Sequence, residues 1–513
     1  MNGFKLGLRL TILLLSCSGA VADQVRNTDL FKQEITQFIQ KSLKTLPQVP
    51  GLSVAIVKDG KILLADGFGY LDSSKVTHSN ADSRYYIASS TKSFTALAAL
   101  LMHEKGQINL DKSIAEYLPK VKFKFSHEFD ANKITLRHLL THTSGIENQV
   151  LVARLSYTGQ HTPEKLRELI QYTEGVENNT LGEFRYTNFG YNLLTIIMED
   201  VTGKPWQVLL KELVYEPLNM NKTTSYMSQQ QQDFAPPHDA SLPDPHRLSL
   251  VKTDQTMHSA GGTLSTANDA AKWLQVQLGN GQLNDKQIFP KQLIEKSHQR
   301  LAKVDKSFGE YQRQHYGLGW YIAKYLDSTM IHHFGGYPGH RAHVSFMPEH
   351  NIGVAVFTNE GSAGFHLADL VANYAYEWWL KPESSSLLFF SESIEEKYTD
   401  ELSDLKEKAQ DRVEDRHDDI RAKADRKWML SLPLKAYVGT YNNPVWGTFE
   451  ISIENNTLKA SIGNLSILST PIERTDLIRL ELIPGKGVVI AFIPNNDKVD
   501  HLRFRGFDFY RQP

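Results

Sequence analysis

Short alternating strands and amphipathic helices follow one another along the first 380 residues of the chain. Apolar residues alternate with smaller or polar ones from Ser53 to Tyr70, and Asp59-Gly60 supplies a turn, which predicts a β-hairpin. Apolar positions three and four apart predict helices at Ser93–Glu104, Glu164–Thr173, Tyr191–Val201, Asn268–Leu278 and Ala363–Leu380. Late apolar runs predict strands at Gly319–Ala323, Ala342–Phe346 and Gly353–Thr358. Strands at both ends of a helical insert predict one α+β domain over residues 23–382, with an antiparallel sheet flanked by helices.

The pattern changes twice after residue 382. Residues 383–433 are rich in charge, and between Ile394 and Ala424 their apolar residues recur mostly every three or four positions. This stripe predicts an amphipathic linker helix that lies on two domains. An oligomerising coiled coil is the alternative, but large apolar residues are few. Residues 434–513 alternate in short runs separated by Asn-Asn and Pro-Gly turns, which predicts a small all-β barrel.

Composition and charge narrow the functional classes. The chain has 513 residues, more than one hydrophobic core usually supports, and is 41% hydrophobic and 22% charged. Its formal net charge is -2, so no global basic field favours binding to nucleic acid or to a membrane surface. Chemistry on a small molecule or a short peptide is therefore the expectation.

The first 22 residues have the pattern of an export signal. Lys5 belongs to a short positive start, an apolar run follows, and Ala-Val-Ala at residues 20–22 provides a cleavage site. We therefore expect an exported chain, periplasmic or secreted, that begins at Asp23. Cys17, the only cysteine, lies in a segment that loosely resembles a lipoprotein box. Lipidation of Cys17 would anchor the protein to a membrane, whereas cleavage after residue 22 leaves no cysteine at all.

A candidate nucleophile stands at the start of a predicted helix. Ser89 and Lys92 form a Ser-x-x-Lys pattern, and a separation of three residues puts both side chains on one face of a helix. A serine hydroxyl needs a base to act as a nucleophile, and the free N–H groups of a helix start favour developing negative charge. The same pattern occurs at Ser249–Lys252 and Ser403–Lys406, but only Ser89 precedes an apolar helix and is followed by partner motifs in order.

The first partner motif is Tyr-x-Asn. Tyr186 and Asn188 are two residues apart on what we expect to be an irregular segment, so both can point into one cleft. Tyr186 would shuttle a proton, and Asn188 would hold Lys92 and a substrate carbonyl. The alternative for Tyr186 is a core aromatic residue with a satisfied hydroxyl.

The second partner motif is rich in glycine. His333, Gly335 and Gly336 precede the predicted strand at Ala342, and glycines there let a substrate lie against a strand edge whose N–H helps to bind an oxyanion. A metal cluster is the alternative for this segment, but no carboxylate or cysteine ligand is interleaved. The histidines concerned are His332, His333, His340 and His343.

The order of these motifs resembles the family of serine β-lactamases, penicillin-binding proteins and their esterase and peptidase relatives, especially the branch near class C β-lactamases. The matching positions are Ser89, Lys92, Tyr186, Asn188, His333 and Gly335. The resemblance extends over roughly residues 30–380 and includes three further segments, at residues 139–145, 216–220 and 259–266. Residues 434–513 are similar to the lipocalin-like barrel that follows the hydrolase domain in some relatives.

The resemblance implies a mechanism and a set of roles. Ser89 would form an acyl-enzyme, Lys92 and Tyr186 would transfer the proton, and the N–H groups of Ser89 and Gly336 would form the oxyanion hole. No metal or organic cofactor is implied. His333 departs from the family, because a lysine is more usual there and a histidine is charged only at lower pH. Strong β-lactam turnover or carboxylate-dependent carboxypeptidase activity is therefore not expected.

Two functions of other classes stay open beside the hydrolase. In one, the protein is a sensor in which Ser89 is acylated but never turned over. In the other, the barrel binds a lipid or a peptide and the hydrolase domain is only a scaffold, although the complete set of Ser89, Lys92 and Tyr186 argues against this. Relatives can assemble through the added barrel, so a homo-oligomer is consistent with the resemblance.

Overall fold

The computed structural model describes residues 28–123, 125, 129–229, 233–242, 245–380 and 387–513. The expected export signal at residues 1–22, including Cys17, lies outside these residues. Within them, no helix combines the length and the apolar character needed to cross a membrane.

A nine-stranded sheet forms the centre of the first domain, and both ends of the domain contribute to it. The predicted hairpin is confirmed as β1 (Gly51–Lys58) and β2 (Lys61–Gly69), joined by Asp59-Gly60, where both residues have positive φ. The later strands are β3 (Ala302–Phe308), β4 (Tyr311–Tyr316), β5 (Tyr321–Tyr325), β6 (Ser328–His332), β7 (Gly335–Tyr337), β8 (His340–Met347) and β9 (Ile352–Thr358). All neighbours are antiparallel in the order β3-β4-β5-β6-β8-β9-β1-β2, and β7 pairs with β8 beside β6.

Helices cover both faces of this sheet. One face packs on α1 (residues 28–45), α5 (Ala363–Leu380) and α6 (Leu387–Ala424). The other face packs on α2 (Thr91–Glu104), α3 (Asn188–Thr202) and α4 (Ala267–Leu278). Alternate residues of β1 enter the two cores: Val54 and Ile56 pack towards α1 and α5, and Ala55 and Val57 pack towards the opposite layer. The predicted α+β class is confirmed.

The predicted helices are present, and most of their bounds shift by one to three residues. The segment predicted as Glu164–Thr173 is a helix at Pro163–Leu169 followed by a 3-10 turn at Ile170–Tyr172. Asn188 begins α3, so the expectation of an irregular segment at Asn188 was wrong. Shorter helices lie at Ile114–Tyr117, Leu136–Leu140, Gln149–Ala153, Trp206–Leu210, Lys291–Ser297 and Leu434–Tyr437.

Four strands of the sheet, β3, β4, β6 and β7, were not predicted from the sequence. The edge hairpin β3–β4 carries mostly polar side chains that are at least partly exposed, so it shows no clean alternation of apolar and polar positions. Strand β7 is only three residues long, and two of them are glycines. Patterning alone therefore misses these elements, including β7, which closely approaches the turn that carries the candidate nucleophile.

The 38-residue helix α6 connects the two folded parts. Its early apolar positions, Ile394, Tyr398, Leu402, Leu405 and Ala409, are buried against α1 and α5. Its later part faces the barrel, where Arg416 and Lys423 form ion pairs with Glu481 at 3.3 and 3.2 Å. These contacts within one chain account for the amphipathic stripe.

The predicted C-terminal barrel is confirmed. Eight antiparallel strands close in chain order: β10 (Gly439–Asn443), β11 (Gly447–Glu454), β12 (Thr457–Ile462), β13 (Leu465–Pro471), β14 (Leu477–Ile483), β15 (Lys486–Asn495), β16 (Lys498–Phe504) and β17 (Phe507–Arg511). Tyr441, Phe449, Ile490 and Phe509 are fully buried in this part of the protein. Large apolar side chains from consecutive strands thus form the core of the barrel.

The barrel contacts the first domain at residues 154–160. Arg154 donates from Nε and Nη2 to the carbonyl oxygen of Val445 at 2.9 and 2.6 Å. Gln160 and Thr448 exchange two hydrogen bonds, of 3.0 and 2.9 Å, between an amide side chain and the backbone of the barrel. Because hydrogen bonds depend on direction as well as distance, these contacts fix the orientation of the barrel relative to the first domain.

We expect Arg154→Met to weaken this contact, because Val445 loses two donors and a partly buried acceptor left unsatisfied costs about 1–3 kcal/mol. Differential scanning calorimetry should show the unfolding of the barrel at a lower temperature than in the wild type. Arg137→Met removes an exposed ion pair with Asp111 and serves as the control, which should leave the trace unchanged. A trace for Arg154→Met that matches the wild type would contradict the assigned contact.

Candidate active site

Ser89 lies in a tight turn that leads into α2. Ala88–Ser90 form one 3-10 turn directly before the helix, and Ala88 has a φ of 44°, a backbone conformation that is uncommon for a residue with a side chain. Ser90 and Lys92 are buried, whereas Ser89 is partly exposed. Ser89 therefore combines solvent access with a position at the start of a helix.

Lys92 is completely buried beside Ser89. Its Nζ lies 3.2 Å from Ser89 Oγ, 2.8 Å from Asn188 Oδ1 and 2.8 Å from the carbonyl oxygen of Ala260. No acidic side chain of the described residues forms an ion pair with it, and burial holds the pKa of Lys92 well below its usual 10.5. The site therefore favours the neutral amine.

Tyr186 and Asn188 reach this amine from the start of α3. Thr187 caps the helix by accepting a hydrogen bond from the N–H of Phe189 at 3.1 Å. The side chain of Ser89 interacts with the phenol of Tyr186, and the ring centre of Tyr186 lies 4.7 Å from Lys92 Nζ. Although 38% of the surface of Tyr186 is exposed, burial of its polar end raises the pKa of the phenol. The phenol is consequently protonated at neutral pH.

The residues around β7 form the opposite wall. The hydroxyl of Ser90 donates to the carbonyl oxygen of His333 at 2.7 Å, which ties the turn to the sheet. A Cβ atom on Gly335 would lie 1.9 Å from the carbonyl oxygen of Ile87 and 3.2 Å from the backbone nitrogen of Ser89. Strand β7 can approach the turn this closely only because position 335 has no side chain. The structure thus brings the third motif against the first.

The side chain of His333 is held in its neutral form. Its Nδ1 lies 3.1 Å from the carbonyl oxygen of Phe334, which can only accept, so Nδ1 carries the proton. Its Nε2 then accepts a hydrogen bond from the hydroxyl of Tyr316 at 3.1 Å. Burial holds the pKa of His333 well below 6.5. Position 333 therefore offers a substrate no permanent positive charge.

Two groups of the site were not identified as functional from the sequence. His142 is buried, its ring centre lies 4.4 Å from that of Tyr186, and its Nδ1 accepts a hydrogen bond from the N–H of Thr187 at 3.3 Å. The carbonyl of Ala260 is the other, as a partner of Lys92. Both belong to segments that carried the family resemblance, residues 139–145 and 259–266, which were the available signal.

The four histidines considered as a metal cluster have separate partners. His343 contacts Asp369 and Ser345, at 2.8 and 2.6 Å. His332 lies 3.3 Å from Arg313 Nε, and the ring of His340 packs on Tyr86. Among the described residues, no three His, Cys, Asp or Glu side chains are grouped so that they could hold a metal ion.

The sequence of the first domain matches a known family. Residues 37–375, about two thirds of the chain, match the Beta-lactamase family. The chain belongs to this family. Protein flp of Staphylococcus aureus (strain NCTC 8325 / PS 47) is 28% identical over 341 residues, which cover 66% of this chain and 65% of flp. The match therefore spans just under two thirds of the length of flp.

Two solved structures share the architecture. The octameric penicillin-binding protein homologue from Pyrococcus abyssi is 25% identical, with a TM-score of 0.56, and the match covers 93% of this chain and 99% of that one. D-amino acid amidase from Ochrobactrum anthropi SV3, solved with L-phenylalanine amide, is 22% identical, with a TM-score of 0.57. That match covers 68% of this chain and 99% of the amidase, and at this identity it shows the fold alone.

The two glycines of β7 make a matched test of the site wall. We expect Gly335→Ala to lower the unfolding temperature, since its Cβ would overlap the backbone of Ile87 at 1.9 Å, and strain of this kind costs about 1–3 kcal/mol. Gly336→Ala should unfold like the wild type, because its Cβ would meet Phe365 at an ordinary 3.7 Å. Equal unfolding temperatures for the two variants would disprove the close approach at Gly335.

Proposed function

We propose that this protein is a serine hydrolase that cleaves an ester, an amide or a short peptide through an acyl-enzyme on Ser89. The observation that carries the proposal is the placement of Lys92, whose Nζ lies 3.2 Å from Ser89 Oγ and 2.8 Å from each of two acceptors. Membership in the Beta-lactamase family supports the same reaction class.

The two acceptors orient the amine towards Ser89. A neutral amine has two N–H donors and one lone pair. Asn188 Oδ1 and the carbonyl oxygen of Ala260 can only accept, so they take the two N–H groups. The lone pair is then left for the hydroxyl proton of Ser89, and the depressed pKa of Lys92 keeps it available. Lys92 is therefore the general base of the proposal.

In the acylation step, each proton that one group loses is taken up by another. Ser89 Oγ forms a bond to the substrate carbonyl carbon while its proton passes to Lys92 Nζ. The C–O or C–N bond to the leaving group breaks, and the leaving atom takes the proton of Tyr186, whose phenol is protonated because its pKa is raised. The proton on Lys92 restores the phenol. The backbone N–H groups of Ser89 and Gly336 are the proposed donors to the oxyanion.

In deacylation, a water molecule takes the place of Ser89 as the nucleophile, and Lys92 is again the base. A water molecule gives a proton to the amine of Lys92 and its oxygen bonds to the acyl carbon. The bond from that carbon to Ser89 Oγ breaks, and Ser89 regains a proton from Lys92 as the carboxylic acid leaves. Neither half-reaction calls for a cofactor.

The substrate class follows from the neutral wall at His333. Because the pKa of His333 is held well below 6.5, substrates that require a cation against their carboxylate are disfavoured, including most β-lactams. The structural neighbour that is a D-amino acid amidase supports including D-residue amides and peptides among the candidates. A screen of p-nitrophenyl esters, D-amino acid amides, D-peptides and nitrocefin would identify the class.

The octameric homologue supports a further proposal, that this chain also assembles.

We expect Ser89→Ala to abolish covalent labelling by a fluorophosphonate probe, because Ser89 Oγ is the proposed nucleophile, 3.2 Å from the Lys92 amine. Intact-mass spectrometry and gel fluorescence would measure the label. Ser403→Ala is the matched control, since Ser403 heads an exposed Ser-x-x-Lys pattern on α6, and it should label fully. Labelling that persists in Ser89→Ala would end the proposal. A single stoichiometric burst without turnover of any ester or amide would favour the sensor instead.

Deprotonation of Lys92 should also be visible in the pH dependence of the acylation rate constant. We expect the acylation rate constant to rise with pH as Lys92 loses its proton, and the rise to be complete well below pH 10.5, because burial lowers this pKa. Stopped-flow measurement with an activated ester between pH 5 and about 10 would define the limb. Lys92→Met should be slow at every pH and lack this limb. A wild-type limb centred near 10.5 would contradict a neutral Lys92.

A further inference from the structure

A second buried lysine lies outside the proposed catalytic set. Lys252 is only 6% exposed, and its Nζ donates to the carbonyl oxygens of Ser156 at 2.6 Å and Thr256 at 3.3 Å. No ion pair with an acid forms within the part of the chain that the structure describes. Three aromatic rings surround the amine, with their centres 4.0 Å (Tyr337), 5.6 Å (Tyr86) and 5.6 Å (Tyr157) from Nζ. We call these four residues the Lys252 box.

The Lys252 box joins both walls of the site. Tyr337 is the last residue of β7 and directly follows Gly336. Tyr86 precedes the turn of Ser89 by three residues, and its ring contacts that of Tyr337 at 5.4 Å between centres. The Lys252 amine therefore contacts the segment before Ser89 through Tyr86 and the wall formed by β7 through Tyr337.

The same box also lies directly beneath the barrel. Tyr157 belongs to the segment that contacts the barrel. Its neighbour Thr158 accepts a hydrogen bond from the backbone N–H of Asn464, in a barrel turn, at 2.8 Å. The side chain of Asn464 donates to the hydroxyl of Thr253 at 2.8 Å, and Thr253 follows Lys252 in the chain. A Cβ on Gly463 would lie 1.9 Å from the Thr158 carbonyl oxygen, so the turn fits closely. One barrel turn thus holds the residues next to two members of the box.

A lysine at position 252 contributes directional contacts rather than additional packing. A methionine would fill the same aromatic surroundings without losing the hydration of a charged group. Only the amine can donate to two carbonyls while it attracts the faces of aromatic rings. These directional contacts fix the distance between Tyr337 and the segment of Ser156.

We infer that Lys252 is a positioning residue that holds β7 against the Ser89 turn and transmits the docking of the barrel to the active site. The inference rests on the proposed acyl-enzyme at Ser89. Lys252 itself touches neither Ser89 nor Lys92 in this arrangement, and its effect is on the wall that carries the Gly336 N–H.

The charge of Lys252 changes near neutral pH. Burial lowers its pKa to about 7, so the ammonium is lost as pH rises through this range. Burial raises the pKa values of the facing tyrosines and lowers those of the facing histidines, so these groups stay neutral there. The facing groups are Tyr86, Tyr157, Tyr337, His258 and His340. The attraction between the amine and the rings therefore weakens above neutral pH.

A double-mutant cycle on the full-length chain tests the inference. Lys252→Met should lower the rate constant of fluorophosphonate labelling about tenfold, a typical effect of a displaced site wall, while unfolding stays cooperative. Asn464→Ala should lower the rate constant about threefold in the wild type and leave the Lys252→Met background unchanged, because both act on the same box. Lys406→Met, at the exposed Ser-x-x-Lys pattern of α6, should label at the wild-type rate.

A third variant separates charge from shape. In the wild type, loss of the Lys252 ammonium above about pH 7 should offset part of the rise in labelling rate that deprotonation of Lys92 gives. Lys252→Arg keeps its charge at every pH, so this offset should be absent and its alkaline limb should rise further than that of the wild type. A merely structural lysine would leave the alkaline limb unchanged.

The outcomes are distinct. Ser89-dependent labelling that Lys252→Met leaves at the wild-type rate, or fully independent effects in the cycle, would overturn the inference alone. Labelling that survives Ser89→Ala would instead overturn the proposed function. If Lys252→Met does not fold, a wild-type rate for Asn464→Ala together with an unchanged alkaline limb for Lys252→Arg overturns the inference.

Discussion

The physical feature on which the site depends is a buried amine that forms no ion pair with an acid among the residues that the structure describes. Removing Lys92 from water disfavours its charged form and holds its pKa well below 10.5, which makes this lysine the base of the proposed reaction. The amine must also be aimed, which the two acceptors at 2.8 Å accomplish. The segment that supplies Ala260 is fixed in turn, because Thr95 donates to the Ser259 carbonyl at 2.8 Å and Thr195 shares a 2.6 Å hydrogen bond with the Ser259 hydroxyl.

The fold supplies the remaining constraints from both ends of its first domain. The sheet places β7 against the Ser89 turn at a distance that only glycine at position 335 permits. The hydrogen bond from Ser90 to the His333 carbonyl joins the helical layer to the sheet at the same point. The positive φ of Ala88 is the local backbone strain of this junction, which packing on both sides maintains. The barrel lies outside this unit and meets it through residues 154–160. The early part of helix α6 packs instead on α1 and α5.

Sequence patterns predicted the parts of the fold whose signal is local. The hairpin β1–β2 and helix α5 were found with nearly correct bounds, because apolar periodicity and a turn residue mark their ends. The polar edge hairpin β3–β4 and the short strand β7 were missed, since their pairing depends on neighbours far along the chain. The order of the motifs along the chain predicted that Ser89, Lys92 and Tyr186 lie in one cleft, and the structure brings these three side chains together.

Local patterns did not reveal which groups surround each motif. Ser89–Lys92 and Ser249–Lys252 look alike as patterns, and both lysines are buried. They differ in their partners: Lys92 faces a hydroxyl and two acceptors, and Lys252 faces two carbonyls and three rings. His142 was also overlooked as a support of Tyr186, because that contact links residues more than forty positions apart. Long-range contacts of this kind are specified by the whole fold rather than by spacing.

The most direct test of the account is an NMR titration of the Lys92 amine in protein labelled with ¹³C at lysine Cε, assigned by comparison with Lys92→Met. The account predicts that the Lys92 signal changes from charged to neutral with a midpoint well below 10.5. A midpoint at or above the usual value would mean that the amine is charged in the folded protein and cannot be the base.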